Sequence, residues 1–168
     1  MSLRVLAISL FSDFSIPKKN LLFLFLLSCF ALQAQDPKEL NALKKEANTL
    51  FEEENYTKAY PLYAQLVSNY SKDPEFNYRL GVCMIYSEPD KKKCLSYLNT
   101  AAKNFETAPK ELPYYLGKAY HINYLFDDAL KYYNEFKTSA SPSLQKKKQI
   151  DREIVACNNG KLLLSNLS

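Results

Sequence analysis

A chain of 168 residues with 47 % hydrophobic and 24 % charged residues has the balance of one globular domain rather than of a disordered segment. Three glycines argue against a turn-rich β fold, and 13 tyrosines with no tryptophan are a marked bias. A formal charge of +4 gives no electrostatic case for nucleic acid, and removing residues 1–35 takes away three cations and one carboxylate.

Lys18, Lys19 and Asn20 precede an uncharged apolar run from Leu21 to Leu32, followed by Gln33-Ala34-Gln35 and a charged segment from Asp36. A basic flank, a short apolar core and a small residue near the exit are the parts of an export signal. The run is shorter than the ~20 residues that span a bilayer. Residues 1–35 are therefore expected to be a cleaved signal, with residues 1–17 an over-long lead. Two alternatives stay open: a retained membrane anchor, and a lipoprotein signal, which Leu26-Leu27-Ser28-Cys29 resembles, with Cys29 lipid-modified.

Asp36-Pro37-Lys38-Glu39 reads as a helix start, since Asp caps free N–H groups, Pro fits the first turn and Glu completes a capping box. Leu40, Leu43, Ala47, Leu50 and Phe51 fall on one helical face, and Glu52 to Asn55 breaks the pattern as a turn. Tyr56, Ala59, Tyr60, Tyr63, Leu66 and Val67 belong to a second helix, with Pro61 near its first turn. Asp73-Pro74 repeats the start for a helix holding Phe76, Leu80, Gly81, Met84 and Ile85. Its turn is Ser87 to Asp90, and Asp90 caps a partner helix with Cys94, Leu95, Leu98 and Ala101. Glu111-Leu112-Pro113 opens a third pair, turning at Asn123 to Phe126. Leu144 to Asn158 reads as a seventh helix with Leu144, Ile150, Ile154 and Val155 inside and Lys146 to Lys148 outside, stopped at Asn159-Gly160.

These pairs keep register. Ala47, Gly81 and Gly117 are the small residues of the three first helices, 34 and 36 apart. Ala59, Cys94 and Ala129 hold the same slot in the second helices, 35 and 35 apart, and Tyr63, Leu98 and Tyr133 each follow by four. A small side chain where helices cross lets the backbones approach, and a large neighbour such as Tyr120 fills the remaining gap. Residues 37–142 thus resemble the tetratricopeptide repeat, a helix–turn–helix unit of about 34 residues, although Ala47 and Cys94 depart from that family's Gly and Ala. The resemblance implies an all-α helical-hairpin solenoid over residues 36–160. Its parts are three repeats (37–72, 73–108 and 109–142), a capping helix at 143–158 and a tail at 161–168.

A narrower resemblance, carried by the signal, NYRLGVCMI, LGKAYHINYLFDDALKYY and CNNGK, is to the N-terminal helical segment of Bacteroidetes outer-membrane-associated proteins. In those proteins a PD40-type propeller and an OmpA-like domain follow. It implies export to the periplasm or the periplasmic face of the outer membrane. It leaves open a naturally short relative or a truncated N-terminal module.

In a tetratricopeptide solenoid the first helix of each unit lines a groove. The resemblance therefore points Lys44, Asn48, Tyr78, Val82, Tyr114, Lys118 and His121 at one surface, suited to an extended peptide or a helix. Tyr115 and Tyr120 are expected to pack between units. His121 is the sole histidine and has no ligand or nucleophile at working spacing. Cys83, Cys94 and Cys157 match no zinc pattern and read as buried thiols. Glu52 to Glu54 and Asp127-Asp128 read as solvated turn residues, Lys91 to Lys93 and Lys146 to Lys148 as wet faces or as contacts to anionic lipid or wall polymer. No catalytic, cofactor or metal constellation is read. The expectation is a non-enzymatic scaffold for a protein or peptide, with no nucleic acid and no small-molecule substrate. Envelope or outer-membrane components are candidate partners, and the apolar stretch Lys161 to Ser165 is an alternative partner edge.

Overall fold

The structure, a computed structural model, describes residues 37–87 and 91–167. The segment expected to be an export signal at residues 1–35, with Cys29, and the expected caps Asp36 and Asp90 lie outside them. Among the described residues there are eight α-helices and no strand. They are α1 (Pro37–Glu52), α2 (Tyr56–Asn69), α3 (Pro74–Ser87), α4 (Cys94–Asn104), α5 (Leu112–Ile122), α6 (Phe126–Ser139), α7 (Pro142–Lys148) and α8 (Ile150–Ser165), with a 3₁₀ turn at Lys91–Lys93 before α4. The chain divides into two compact units, Met1–Leu40 and Asn41–Ser168; of the first, only Pro37 to Leu40 at the start of α1 are described.

Local chemistry sets the helix ends. The Phe76 amide donates to the Asp73 carboxylate at 2.9 Å, capping α3, and the Leu144 amide reaches Ser141 Oγ at 3.4 Å, capping α7. Proline occupies the first turn of α5 and of α7, where its missing N–H costs nothing. The turns between α1 and α2 and between α5 and α6 are built alike, 70 residues apart. Glu54 and Tyr124 stand in the left-handed region at φ 56° and 62°. In each turn the next residue closes a long backbone bond, from the Asn55 amide to the Leu50 carbonyl at 2.9 Å and from the Leu125 amide to the Tyr120 carbonyl at 3.0 Å.

In the second unit each helix packs on its successor: α2 on α3, α3 on α4, α4 on α5 and α5 on α6, while α6 receives α8. The crossings are as close as glycine permits. A Cβ on Gly81 would lie 2.6 Å from Leu98 Cγ, and one on Gly117 would lie 2.6 Å from Tyr133 Cε1. Leu98 and Tyr133 at these contacts are fully buried, as are Ala47, Ala59, Tyr63, Cys94 and Ala129. Each large side chain among them contributes about 1.5–3 kcal/mol by burial. Tyr120 is half-buried and stacks on Tyr132 with ring centroids 5.3 Å apart. The one buried polar side chain among the described residues, Asn77, is satisfied, donating to the Ser71 carbonyl at 2.9 Å and the Asp73 carbonyl at 2.7 Å.

The C-terminal region differs from the expected single helix. Gln149 is left-handed at φ 51°, which ends α7 and starts α8, so the apolar stripe is redistributed. Ile150 and Cys157 are buried, whereas Val155 is exposed. Asn159-Gly160 does not stop α8, which runs on to Ser165 through the segment expected to be a tail. Gly160 serves close approach instead: a Cβ there would lie 2.7 Å from the Phe126 ring.

Gly117→Ala is expected to lower stability by about 1–3 kcal/mol, because the clash with a fully buried tyrosine outweighs the ~1 kcal/mol gain in helix propensity. Urea denaturation would measure it, and an unchanged midpoint would refute the crossing. Burial pushes the thiols of Cys83 and Cys94 up to about 12 and about 11 from an ordinary 9.0. The folded chain thus keeps these protons where the unfolded chain loses them. Their contribution is intact below pH 9 and is lost as pH rises to 11–12. Both thiols are expected to resist a thiol reagent at pH 8 and to react at once in denaturant, read by mass spectrometry.

Candidate functional site

Helix α3 explains why the expected groove is not a continuous open face. It lies between α2 and α4 and also touches α5, so its residues from Phe76 to Ile85, apart from Arg79, are buried. Tyr78 and Val82 are therefore core residues rather than groove contacts; Tyr78 packs edge-on against Phe105 and Tyr115. Only Tyr86, at the end of α3, emerges.

Beyond Tyr86 a cleft of about 640 Å³ opens, lined by Tyr56, Tyr86, Tyr114, Tyr115 and Lys118, with α7 and α8 supplying Lys147, Lys148, Arg152 and Glu153, and Glu54 at the α1–α2 turn. Tyr56 and Tyr86 stack with centroids 4.8 Å apart, and Tyr114 meets Tyr115 edge-on at 5.2 Å. Lys148 Nζ donates to Tyr115 Oη at 2.7 Å and sits 4.6 Å and 5.3 Å from the Tyr115 and Tyr114 ring centres. Lys118 Nζ lies 5.7 Å from the same Tyr114 ring and donates to Glu153 Oε1 at 2.9 Å. Burial lowers the Lys148 ammonium below the usual lysine range, with Glu111 opposing it. Burial, helped by the Glu54 charge, raises Tyr56 to about 12, and burial raises Tyr114 and Tyr115 further. The cleft thus offers neutral phenols and four cationic side chains against two carboxylates.

A second cleft of about 570 Å³ shares Tyr86, Lys118 and Glu153 and adds His121. Tyr133 Oη lies 3.4 Å from His121 Nδ1 and donates to Glu153 Oε2 at 3.4 Å, and burial lowers the His121 pKa. His121 is thereby tied to a packing tyrosine. Among the described residues no group of three metal-ligating side chains converges, and Cys83, Cys94 and Cys157 are free and buried.

The seven expected groove residues are therefore not one surface. Tyr114 is buried and reaches the cleft as its back wall, with Lys118 on its rim. Lys118 and His121 share the second cleft. Lys44 lies elsewhere, over the rings of Tyr70 and Phe76, and Asn48 accepts the Tyr63 hydroxyl at 2.7 Å. Tyr115 packs as expected but also lines the cleft. Lys148, read as part of a wet face, is turned inward by the break at Gln149, which nothing in the local sequence announces. Glu153 was legible in principle, standing one period of 35 beyond Lys118. Comparison of the chain with protein-family models, with curated proteins and with solved structures returns no match.

Glu153→Ala is expected to cost about 1–3 kcal/mol, since it leaves the part-buried Lys118 ammonium without its carboxylate and removes one of the two acceptors beside the Tyr133 hydroxyl. Asp151→Ala, which removes an exposed pair with Lys137 and an exposed first-turn carboxylate of α8, should lower the melting temperature far less. Equal effects in thermal denaturation would refute the distinction.

Proposed function

We propose that the chain is an exported, non-enzymatic tetratricopeptide-like scaffold that binds a protein or peptide in the bacterial cell envelope. The observation carrying this reading is the tyrosine-lined cleft. Rigid aromatic walls with polar tips are the surfaces that anchor peptides at low entropic cost, and the surplus of cations favours a segment bearing carboxylates. The identically bonded turns 70 residues apart, and the Gly81–Leu98 and Gly117–Tyr133 crossings one period apart, support the repeat reading. The basic flank and apolar core of residues 18–32 support export.

A second reading rests on a different observation. Leu162, Leu163 and Leu164 are exposed together on α8, which suits a structural subunit of an outer-membrane or peptidoglycan-associated assembly docked through its C-terminal edge.

A photo-crosslinking amino acid in place of Tyr86 of the full chain, in the cell envelope, separates the two. The cleft reading expects a crosslinked product that Arg152→Glu with Lys147→Glu abolishes and Leu163→Asp leaves intact. A product lost only with Leu163→Asp would overturn it.

A further inference from the structure

The tyrosine-lined cleft does not end at its own rim. Tyr86, Lys118 and Glu153 line both it and the second cleft, so the two hollows, about 640 Å³ and about 570 Å³, form one trough. Helix α5 runs along it: Tyr114 and Tyr115 line the first hollow, Lys118 belongs to both, and His121 and Ile122 line the second. At ~1.5 Å rise per residue, the stretch of α5 from Tyr114 to Ile122 covers about 12 Å. In an extended peptide, side chains four residues apart point the same way and lie about 13 Å from each other.

The two hollows differ in chemistry. Of the four cations in the first, Lys118 is paired with Glu153 at 2.9 Å and Lys147 with Glu54 at 3.9 Å. Lys148 and Arg152 instead donate to neutral oxygens, the Tyr115 hydroxyl at 2.7 Å and the Gln149 side-chain amide at 2.6 Å. Among the described residues neither has a carboxylate partner. The second hollow is walled by Ile85, Ile122 and Tyr124, the last of these 61 % exposed, with Lys92 Nζ 5.3 Å from its ring centre. Lys91 also lines it, and His121 there is engaged with Tyr133. The Lys118–Glu153 pair common to both has no net charge. An ammonium has three donors and a carboxylate about four acceptor sites, so each keeps capacity for a polypeptide backbone crossing over it.

We infer that the trough takes one extended peptide segment of bipartite character. An acidic side chain is held at Lys148 and Arg152, and an apolar or aromatic side chain about four residues away packs on Tyr124 and Ile122. The backbone between them crosses the Lys118–Glu153 pair. The inference rests on the reading of the cleft as a peptide site and adds what the peptide must contain. A purely acidic segment would gain nothing from the second hollow. A purely apolar one would cover Lys148 and Arg152 without pairing them, which is costly.

Selection of a displayed library of short random peptides on the immobilised full chain tests it. Enriched sequences are expected to carry Asp or Glu with an aromatic or aliphatic residue about four positions away, in either chain direction. Selection on Tyr124→Ala should lose the apolar preference and keep the acidic one, and selection on Arg152→Glu should do the reverse. Both side chains are exposed, so both variants should keep the parent melting temperature. Acidic sequences with no apolar residue at a fixed spacing, still lost on Arg152→Glu, would overturn the bipartite segment and leave the cleft reading standing. Enriched sequences indifferent to both substitutions, or no enrichment over bare support, would overturn the two together.

Discussion

The contact on which this fold depends is the crossing of a glycine backbone with a large side chain on the following helix. At Gly117 the ring of Tyr133 lies close against the α5 backbone through its Cγ, Cδ1 and Cε1 atoms, and at Gly81 Leu98 approaches α3 through its Cγ and Cδ2. Because α2 to α6 each find their main partner in a sequence neighbour, these crossings fix the spacing of that stack, onto which α8 packs through α6 rather than through α7. Side chains added there have nowhere to go, since Tyr133 and Leu98 are themselves fully enclosed.

Burying tyrosine at such crossings creates a polar obligation that leucine does not. Tyr63 meets it through Asn48 at 2.7 Å and Arg79 at 3.4 Å, Tyr133 through Glu153 at 3.4 Å. In both cases a charged residue of a later helix, α3 for Tyr63 and α8 for Tyr133, is drawn to the hydroxyl. Arg79 is then held by Glu75 and by Glu52 at 3.1 Å over the Phe51 ring, and Glu153 by Lys118. Packing and cleft electrostatics are thus not separate features. Glu153 is on the wall of the cleft because Tyr133 is in the core, and Lys118 is neutralised there for the same reason.

Helices and turns were legible in the sequence because their signals are local: Asp73 before Pro74, the polar break at Glu52 to Asn55, and small residues at a steady period. The cleft was only partly legible. Tyr114 and Lys118 follow from the family resemblance, but the enclosure of Tyr78 and Val82 depends on how many neighbours α3 acquires, which no single helical face records. The inward turn of Lys148 depends on a non-glycine residue adopting a left-handed conformation, which its identity does not signal. Gly160 misled for the opposite reason, having a glycine's typical helix-stop context while serving as a contact surface for Phe126.

Gln149 also has a consequence for adaptability. It joins α7 and α8 without an intervening loop, so the walls bearing Lys148 and Glu153 meet at one peptide junction. A loop at this junction would let the two walls move apart independently. In this chain Gln149 couples them, and the packing of α8 on α6 at Gly160 and Phe126 fixes where the last helix lies, so a change in the cleft's aperture must disturb the stack beneath it as well.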